Sequence, residues 1–447
     1  YGCQMNVNDT EIVSSVLAAG GFELTSEINN ADAILLNTCS VRDNAEKRIT
    51  ARLKHLKPYK KKKPDLLLGI LGCMAERLRA KLLENNSLLD LVVGPDEYRK
   101  IDSLIEKAFD GEKGIAVRLS KIETYDDIPP LRKSGLSAYL SIMRGCNNFC
   151  SYCVVPYTRG RERSRSYDSI LKEINVLAQE GFLEITLLGQ NVNSYFCKSS
   201  NISFPQLLKA AADTVKNFNH NSNGLRIRFT TSHPRDLSDE LIDVMAENDN
   251  ICKHLHLPVQ SGSNKVLELM NRGYNVEHYL KKIEKIRAAI PNIALTTDLI
   301  AGFPGEGIDD HNYTMELLKT VRYDGAFMFR YSAREGTNAF KYEDNVTEEE
   351  KIRRLNEIIN LQQTISKEIN RGEIGNIYVV LAEGPSKRSN LDWQGRTDTN
   401  KTVIFPLENR NISAGEFVKV KIIRSTAATL FGEIDPSPAL PCKQGRE

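Results

Sequence analysis

The chain lacks any apolar run near the ~18–20 residues that a membrane-spanning helix needs. Its greasiest short stretch, residues 66–71, reads as a buried strand. No secretory leader pattern is present, and the chain starts abruptly at Tyr1 inside what reads as a strand. A natural N-terminal segment is therefore expected to be missing. Charge of one sign is also lacking. Sixty Lys and Arg against 58 Asp and Glu leave +2, which neither demands nor excludes a nucleic-acid partner. No internal repeat of solenoid period recurs. There is one Trp among 447 residues, yet 41% apolar and 26% charged residues supply a large core and exclude wholesale disorder. The length suggests about three domains.

What the chain has instead is cysteine, at positions 3, 39, 73, 146, 150, 153, 197, 252 and 442. An odd count in a long chain without a secretory signal argues against a disulfide scaffold and for metal binding or catalysis. The first third alternates strand and helix. A strand ends at 1–3 and a helix runs over 9–19, with Ile12, Val13, Val16 and Leu17 at helical spacing. A strand follows at 33–36, a helix at 45–56 and a strand at 66–71. This order predicts a parallel sheet, whose strand C-termini share one edge, where ligands bind. Cys3, Cys39 and Cys73 each follow a strand, so three thiols more than thirty residues apart are expected at that edge.

Pro129-Pro130 with Arg132-Lys133-Ser134-Gly135 reads as a linker. Beyond it a second α/β series predicts strands at 138–143, 184–188, 226–230, 254–257, 294–299 and 326–330. Helices are expected at 169–179, 204–215, 237–247, 276–289 and 311–321. Six such units suit an open, partial (βα)6 barrel rather than a closed eight-fold one. A charged helix over 348–370 leads to a β-rich tail with strands at 377–382, 402–405 and 417–424, a small OB-like barrel. The fold class is thus α/β throughout its first two domains. The divisions fall at 1–128, 129–371, 372–435 and a tail at 436–447. Lys60 to Lys63 read as a solvated loop. Arg159, Arg161, Arg163 and Arg165 alternate beside a chemical motif and read as functional.

That motif is Cys146-Asn-Asn-Phe-Cys150-Ser-Tyr-Cys153. Its spacing puts three thiolates on one loop, the usual ligands of an iron–sulfur cluster. Three thiolates can hold three irons of a four-iron cubane and leave one iron open to a reactant. Zinc is the metal alternative, but no His follows at finger spacing.

The loop resembles the signature of the radical-SAM superfamily, with Tyr152 as its aromatic. Four further segments sharpen the likeness: Gly2-Cys3-Gln4-Met5-Asn6, Asn37-Thr38-Cys39-Ser40-Val41-Arg42, Gly72-Cys73-Met74-Ala75 and Val154-Val155-Pro156-Tyr157-Thr158-Arg159-Gly160. Together they resemble the methylthiotransferase family over essentially the whole chain, and the Gln-Met-Asn after Cys3 resembles its MiaB branch, which modifies tRNA. Gly395-Arg396-Thr397 with Asn400-Lys401 carry the likeness to a C-terminal TRAM domain.

The resemblance implies two [4Fe-4S] clusters and S-adenosylmethionine (SAM). Cys146, Cys150 and Cys153 would hold the SAM-binding cluster, and Cys3, Cys39 and Cys73 an auxiliary cluster that carries sulfur. One SAM would methylate that sulfur; a second would supply the 5′-deoxyadenosyl radical that removes hydrogen from C2 of N6-isopentenyladenosine in tRNA. No protein side chain is implied as catalytic acid or base. Around SAM the resemblance points to Tyr152, to Gly189, Gln190 and Asn191 in place of a Gly-Gly-Glu motif, and to Ser232, Gln260 and Asp298. Gly302, Gly305 and Glu306 would form a supporting turn, and they equally suit a plain tight turn. His233, His254 and His256 read as structural. Cys197, Cys252 and Cys442 read as incidental. Lys387, Arg388, Arg396 and Lys401 of the small barrel suit either nucleic acid or a solvated lid. The expected partners are isopentenylated tRNA, a flavodoxin-type reductase and a sulfur or iron–sulfur carrier protein, met by a cytoplasmic monomer. Two other readings stay open: methylthiolation of a ribosomal-protein side chain, and a non-catalytic iron–sulfur module for RNA binding or electron transfer.

Overall fold

A computed structural model describes residues 2–40, 43–132, 135–216, 218, 224–407 and 412–435. Val41, Arg42, Lys133, Ser134, Cys442 and the tail from 436 lie outside the described residues. Among the described residues no helix is long and apolar enough to cross a membrane.

The N-terminal domain is a four-stranded parallel sheet in the order Ala33–Thr38, Leu67–Gly72, Leu91–Val93, Gly114–Ala116. Every residue of Leu67–Gly72 is buried, as the apolar run at 66–71 requires of a strand covered on both faces. The first helix begins at Gln4, not at residue 9, so Cys3 is its N-cap rather than the end of a strand. Asn6, Asn8 and Asp9 are buried in its first turns, and it docks on the strand Ser137–Ser141 of the next domain. Those polar residues hid the helix start, because they interrupt the apolar stripe. The lysine run is also not a loop. The helix Asp43–Lys62 carries most of it, Lys60 pairs with Asp90 at 2.7 Å, and Lys63 pairs with Asp32 at 2.5 Å.

The central domain keeps the six expected strands: Ser137–Ser141, Glu184–Leu188, Arg226–Thr230, His254–His256, Ala294–Ala301 and Gly325–Arg330. They form two parallel three-stranded sheets joined by a bridge between Ile227 and Ile251. Closure is therefore partial, and the strand C-termini open on one side. The helices pack outside, with Ile170, Leu207, Leu241, Ile283 and Leu318 in one continuous core.

The C-terminal domain is a closed five-stranded barrel: Ile377–Ser386, Ser389–Arg396, Thr402–Pro406, Phe417–Ser425 and Leu430–Ile434. The second and last strands escaped the sequence reading, because Ser389–Arg396 is polar and Leu430–Ile434 is short. Two arginines tie this barrel down. Arg226 and Arg228 sit two apart on one strand, facing away from the core residues Ile227 and Phe229. Arg226 donates to the carbonyls of Arg396 (2.9 Å) and Val379 (2.8 Å). Arg228 donates to Thr397 (2.7 Å) and Asp398 (2.8 Å) and pairs with Glu184.

Candidate functional site

The structure gathers the six motif cysteines into two sets. Cys39 follows the strand Ala33–Thr38, and Cys73 opens the helix Cys73–Leu78 directly after Leu67–Gly72. The shared strand edge thus brings both to Cys3. Gly72 makes this approach possible: at φ +89° it turns the chain where a Cβ would fall 2.5 Å from Asn37 Oδ1. Asn6 ties the loops together, donating from Nδ2 to Asn37 Oδ1 (2.7 Å) and the Thr38 carbonyl (3.0 Å). A hydrogen bond with Cys39 draws the Cys3 thiol down to about 6. Cys3 is exposed at the surface, desolvation by its neighbours opposes the shift, and the Arg159 charge and Asn6 assist it. The Cys73 thiol is pushed up by burial.

Cys146, Cys150 and Cys153 lie on a loop held from several sides. Gly145, at φ +79°, passes so close to the chain at 160–161 that a Cβ would sit 2.1 Å from the Arg161 carbonyl. Cys146 N donates to the Gly160 carbonyl at 3.1 Å. Ser151 bonds Met270 and Leu269 through its N and Oγ, and Asn271 Nδ2 donates to the Phe149 carbonyl at 3.1 Å. Burial pushes the Cys146 thiol up to about 11 and Cys153 up to about 12. Buried thiols of this kind resist ionisation until a cation is bound among them, which suits an iron-containing guest. Gly145→Ala should cost more than about 2 kcal/mol, the left-handed penalty plus a backbone clash. A denaturant melt and the iron content of the purified protein measure it.

Tyr152 is packed edge-on to Phe303, whose ring also meets Tyr331 and Tyr342. Around the open mouth, the loops after Glu184–Leu188 and Arg226–Thr230 adjoin: Gly189 N donates to the Thr230 carbonyl and Val192 N to that of Thr231. Here Gln190 Oε1, Asn191 Oδ1, Ser232 Oγ and His233 Nε2 are buried without partners. Unsatisfied polar atoms are costly and rare, so a cluster of them marks a place where a polar ligand binds. Gln260, at φ +76°, hydrogen-bonds through its backbone to the Asp298 carbonyl, and Asp298 faces His256 at 3.5 Å. The turn at 302–306 is different. Glu306 accepts from Gly302 N and pairs with Arg354 at 2.9 Å, while Gly305 N donates to Asn345. Its groups are engaged within the protein. His254 Nε2 and His256 Nδ1 each lie 3.1 Å from Thr296 Oγ1. His233 carries the free rim nitrogen just described, although its sequence reading was structural. Cys197 and Cys252 are buried, Cys197 against Ser199 and Cys252 near Arg228.

The arginine run does not form a free basic surface. Arg159, Arg163 and Arg165 are buried between domains, on Asp9, Asp96 and Asp126 with Glu173. Arg161 alone is exposed, its guanidinium 4.0 Å from the Phe149 ring centroid. In the small barrel, Lys401 is taken up by Glu373 and Asp324, and Arg396 pairs with Glu383; Lys387 and Arg388 stay exposed.

Several residues that sequence reasoning missed organise the site. Asp9 lies between two arginines, accepting from Arg144 Nη2 on one oxygen and Arg159 Nη2 on the other, each at 2.7 Å. Arg144 stands two residues before Cys146, and Arg159 Nε donates to Cys73 Sγ at 3.2 Å. Arg272 Nη1 donates to Cys150 Sγ at 3.1 Å and lies 3.4 Å from the Tyr152 hydroxyl. Arg159 was visible inside a motif and Arg144 stands just before one, but their partner Asp9 was just a polar residue at a helix start. Nothing in the sequence marked Arg272.

Family models match along the chain: the radical SAM superfamily over residues 140–318, the uncharacterized protein family UPF0004 over 1–94 and the TRAM domain over 371–434. A radical-SAM core brings a [4Fe-4S] cluster and SAM as cofactors. Among solved structures, the methyltransferase TsrM of Kitasatospora setae aligns with TM-score 0.53 at 14% identity, over 72% of this chain and 71% of that one. At that identity it shares the fold alone. A protein of Chloroherpeton thalassium named tRNA-2-methylthio-N(6)-dimethylallyladenosine synthase is 53% identical over 97% of this chain and 94% of its own length. One of the same name from Parabacteroides distasonis is 51% identical, again over 97% and 94%. The chain belongs to the tRNA-2-methylthio-N(6)-dimethylallyladenosine synthase family, the MiaB type of radical-SAM methylthiotransferase.

Proposed function

We propose that this enzyme inserts a methylthio group at C2 of N6-isopentenyladenosine beside the anticodon of tRNA. The observation that carries the reading is full-length likeness, at about half identity, to proteins named for that product. The two thiol sets support it further, since sulfur insertion and radical generation need separate centres. Under this reading Cys3, Cys39 and Cys73 hold one four-iron cluster, and Cys146, Cys150 and Cys153 hold another. When bound, these clusters supply sulfur at the first set and one-electron reduction of SAM at the second.

The chain's own residues then bind, orient and exclude. Tyr152 and Phe303 form an apolar wall beside Cys153. Gln190, Asn191, Ser232 and His233 offer unspent polar atoms toward SAM at the mouth, joined by Gly189, Gln260 and Asp298. Burial pulls the His233 imidazole down to about 2, so it is neutral, and because Nδ1 accepts from Arg235 N, the unpartnered Nε2 is left as an N–H donor. The adenosine enters from the open side of the barrel. The small barrel, anchored by Arg226 and Arg228, presents Lys387 and Arg388 toward the phosphates.

No His follows the 146–153 loop at finger spacing, which favours an iron–sulfur cluster there over a zinc ion. The divisions at 1–128, 129–371 and 372–435 are proposed as the functional units, with 436–447 as a tail. A reductase of flavodoxin type and a sulfur-carrier protein complete the cycle, in the cytoplasm where tRNA is processed.

The test sets isopentenylated tRNA against ribosomal protein as substrate for reconstituted enzyme under anaerobic, reducing conditions with SAM. A methylthio mass gain confined to the RNA is expected. A gain on the protein alone would replace the reading with side-chain methylthiolation.

A further inference from the structure

The guanidinium of Arg159 reaches across the domain boundary to the N-terminal cysteine set. Arg159 belongs to the barrel domain, in the stretch that follows Cys153, and its side chain is buried. Its Nε donates to Cys73 Sγ at 3.2 Å, and Nη2 donates to Asp9 Oδ2 at 2.7 Å. Its remaining nitrogen, Nη1, is buried and has no hydrogen-bond partner. A buried guanidinium N–H left unbonded is costly, so the atom points to an acceptor that the folded protein alone does not supply. Its charge also acts on two of the three thiols, Cys3 and Cys73.

The other cysteine set provides the contrast. Arg272 donates to Cys150 Sγ at 3.1 Å, but its Nη2 is spent on the Pro258 carbonyl and its Nε on the Tyr274 hydroxyl. None of its nitrogens is orphaned among the buried atoms. Each set therefore has one arginine on one cysteine sulfur, and Arg159 alone of the two has a donor to spare.

We propose that Arg159 is a positioning residue for the auxiliary cluster: it fixes Cys73, sets the cluster's reduction potential through its charge and sulfur hydrogen bonds, and offers Nη1 to a cluster-borne sulfur. This rests on the two-cluster reading above. Donors to cluster sulfurs and nearby positive charge raise the reduction potential of an iron–sulfur centre. Asp9 holds the guanidinium in place, and because Asp9 also holds Arg144, two residues from Cys146, one carboxylate registers both cysteine sets.

The test uses full-length protein reconstituted anaerobically in which Cys146, Cys150 and Cys153 are alanine, so that one cluster is read in isolation, beside the unaltered chain. Iron and sulfide are counted, and the cluster is titrated electrochemically under electron paramagnetic resonance. In Arg159→Gln the auxiliary midpoint should move to a more negative potential with an altered spectrum. Arg159→Lys, which keeps the charge and the reach to Asp9, should show a smaller shift in the same direction, and it remains readable if the Gln variant does not fold. Arg163→Gln breaks a neighbouring interdomain ion pair that touches no cysteine, and should leave potential and spectrum unchanged. Iron for a single cluster in the unaltered chain, instead of roughly eight atoms, would overturn the two-cluster reading and this inference with it. Two full clusters, with potential and spectrum unmoved in Arg159→Gln and Arg159→Lys, would overturn the inference alone. Equal shifts in Arg163→Gln and Arg159→Gln would do the same, by assigning the effect to a loosened interface.

Discussion

Cys73→Ala is expected to abolish methylthio transfer to tRNA while 5′-deoxyadenosine still forms from SAM. Cys73 is buried at the head of a short helix, beside Cys3 and under Arg159, in the N-terminal domain. The loop bearing Cys146, Cys150 and Cys153 is built by other contacts, from Gly160, Met270, Leu269 and Arg272. Removing the one thiol therefore leaves the other set's framework standing. Loss of an outer partner at a metal centre costs about 10–100-fold; loss of a ligand should exceed that, so transfer should fall by more than about 100-fold. Alanine is only slightly smaller than cysteine, so the fold should survive. Nucleoside and SAM products measured from the same reaction separate the two activities. Transfer at an undiminished rate would remove Cys73 from the chemistry.

Asp9→Asn should produce the largest loss of stability of any single substitution at the domain boundary. The carboxylate is fully buried between two buried arginines. Burial by itself would push its carboxyl up, but the charges of Arg144 and Arg159 outweigh that and hold it below the ordinary carboxylate range. An amide cannot neutralise either guanidinium, and breaking a buried ion pair by removing one partner costs about 3–5 kcal/mol. The sign of the pH dependence follows. A group whose folded pKa is depressed contributes stability that is complete above its unfolded value of about 4 and drains as pH falls toward the folded value. The difference in urea between the unaltered chain and the Asp9→Asn variant should therefore be constant from neutral pH to about pH 5 and shrink in stronger acid. Equal midpoints at neutral pH would show that the triad contributes nothing to holding the domains.

Much of this architecture was legible in the residues. Strands at 184–188 and 226–230 and the helix at 276–289 coincide with the observed elements because apolar periodicity and flanking turn residues agree there. The two cysteine sets were legible for a different reason: one is local, and in the other Cys39 and Cys73 follow from the rule that parallel strands end on one edge, while Cys3 joins them as a helix N-cap. The sheet also contains Leu91–Val93 and Gly114–Ala116, three residues each and too short to carry a period. Long-range charge pairing was the least visible. The alternating arginines at 159, 163 and 165 read as functional from their place beside the cysteine motif, but not as interdomain ion pairs. Their partners Asp9, Asp96, Asp126 and Glu173 lie at unrelated positions, and only the folded chain matches them. The orphan atoms of Gln190, Ser232 and His233 likewise emerge from the meeting of two loops, not from either loop alone.

The most direct measurement of the central claim is nucleoside mass spectrometry with SAM carrying a deuterated methyl group. Reconstituted full-length protein is incubated anaerobically with reductant and isopentenylated tRNA, which is then digested to nucleosides. The account predicts an isopentenyladenosine that has gained a methylthio group bearing the label, together with 5′-deoxyadenosine. Formation of 5′-deoxyadenosine without any methylthio nucleoside would contradict it.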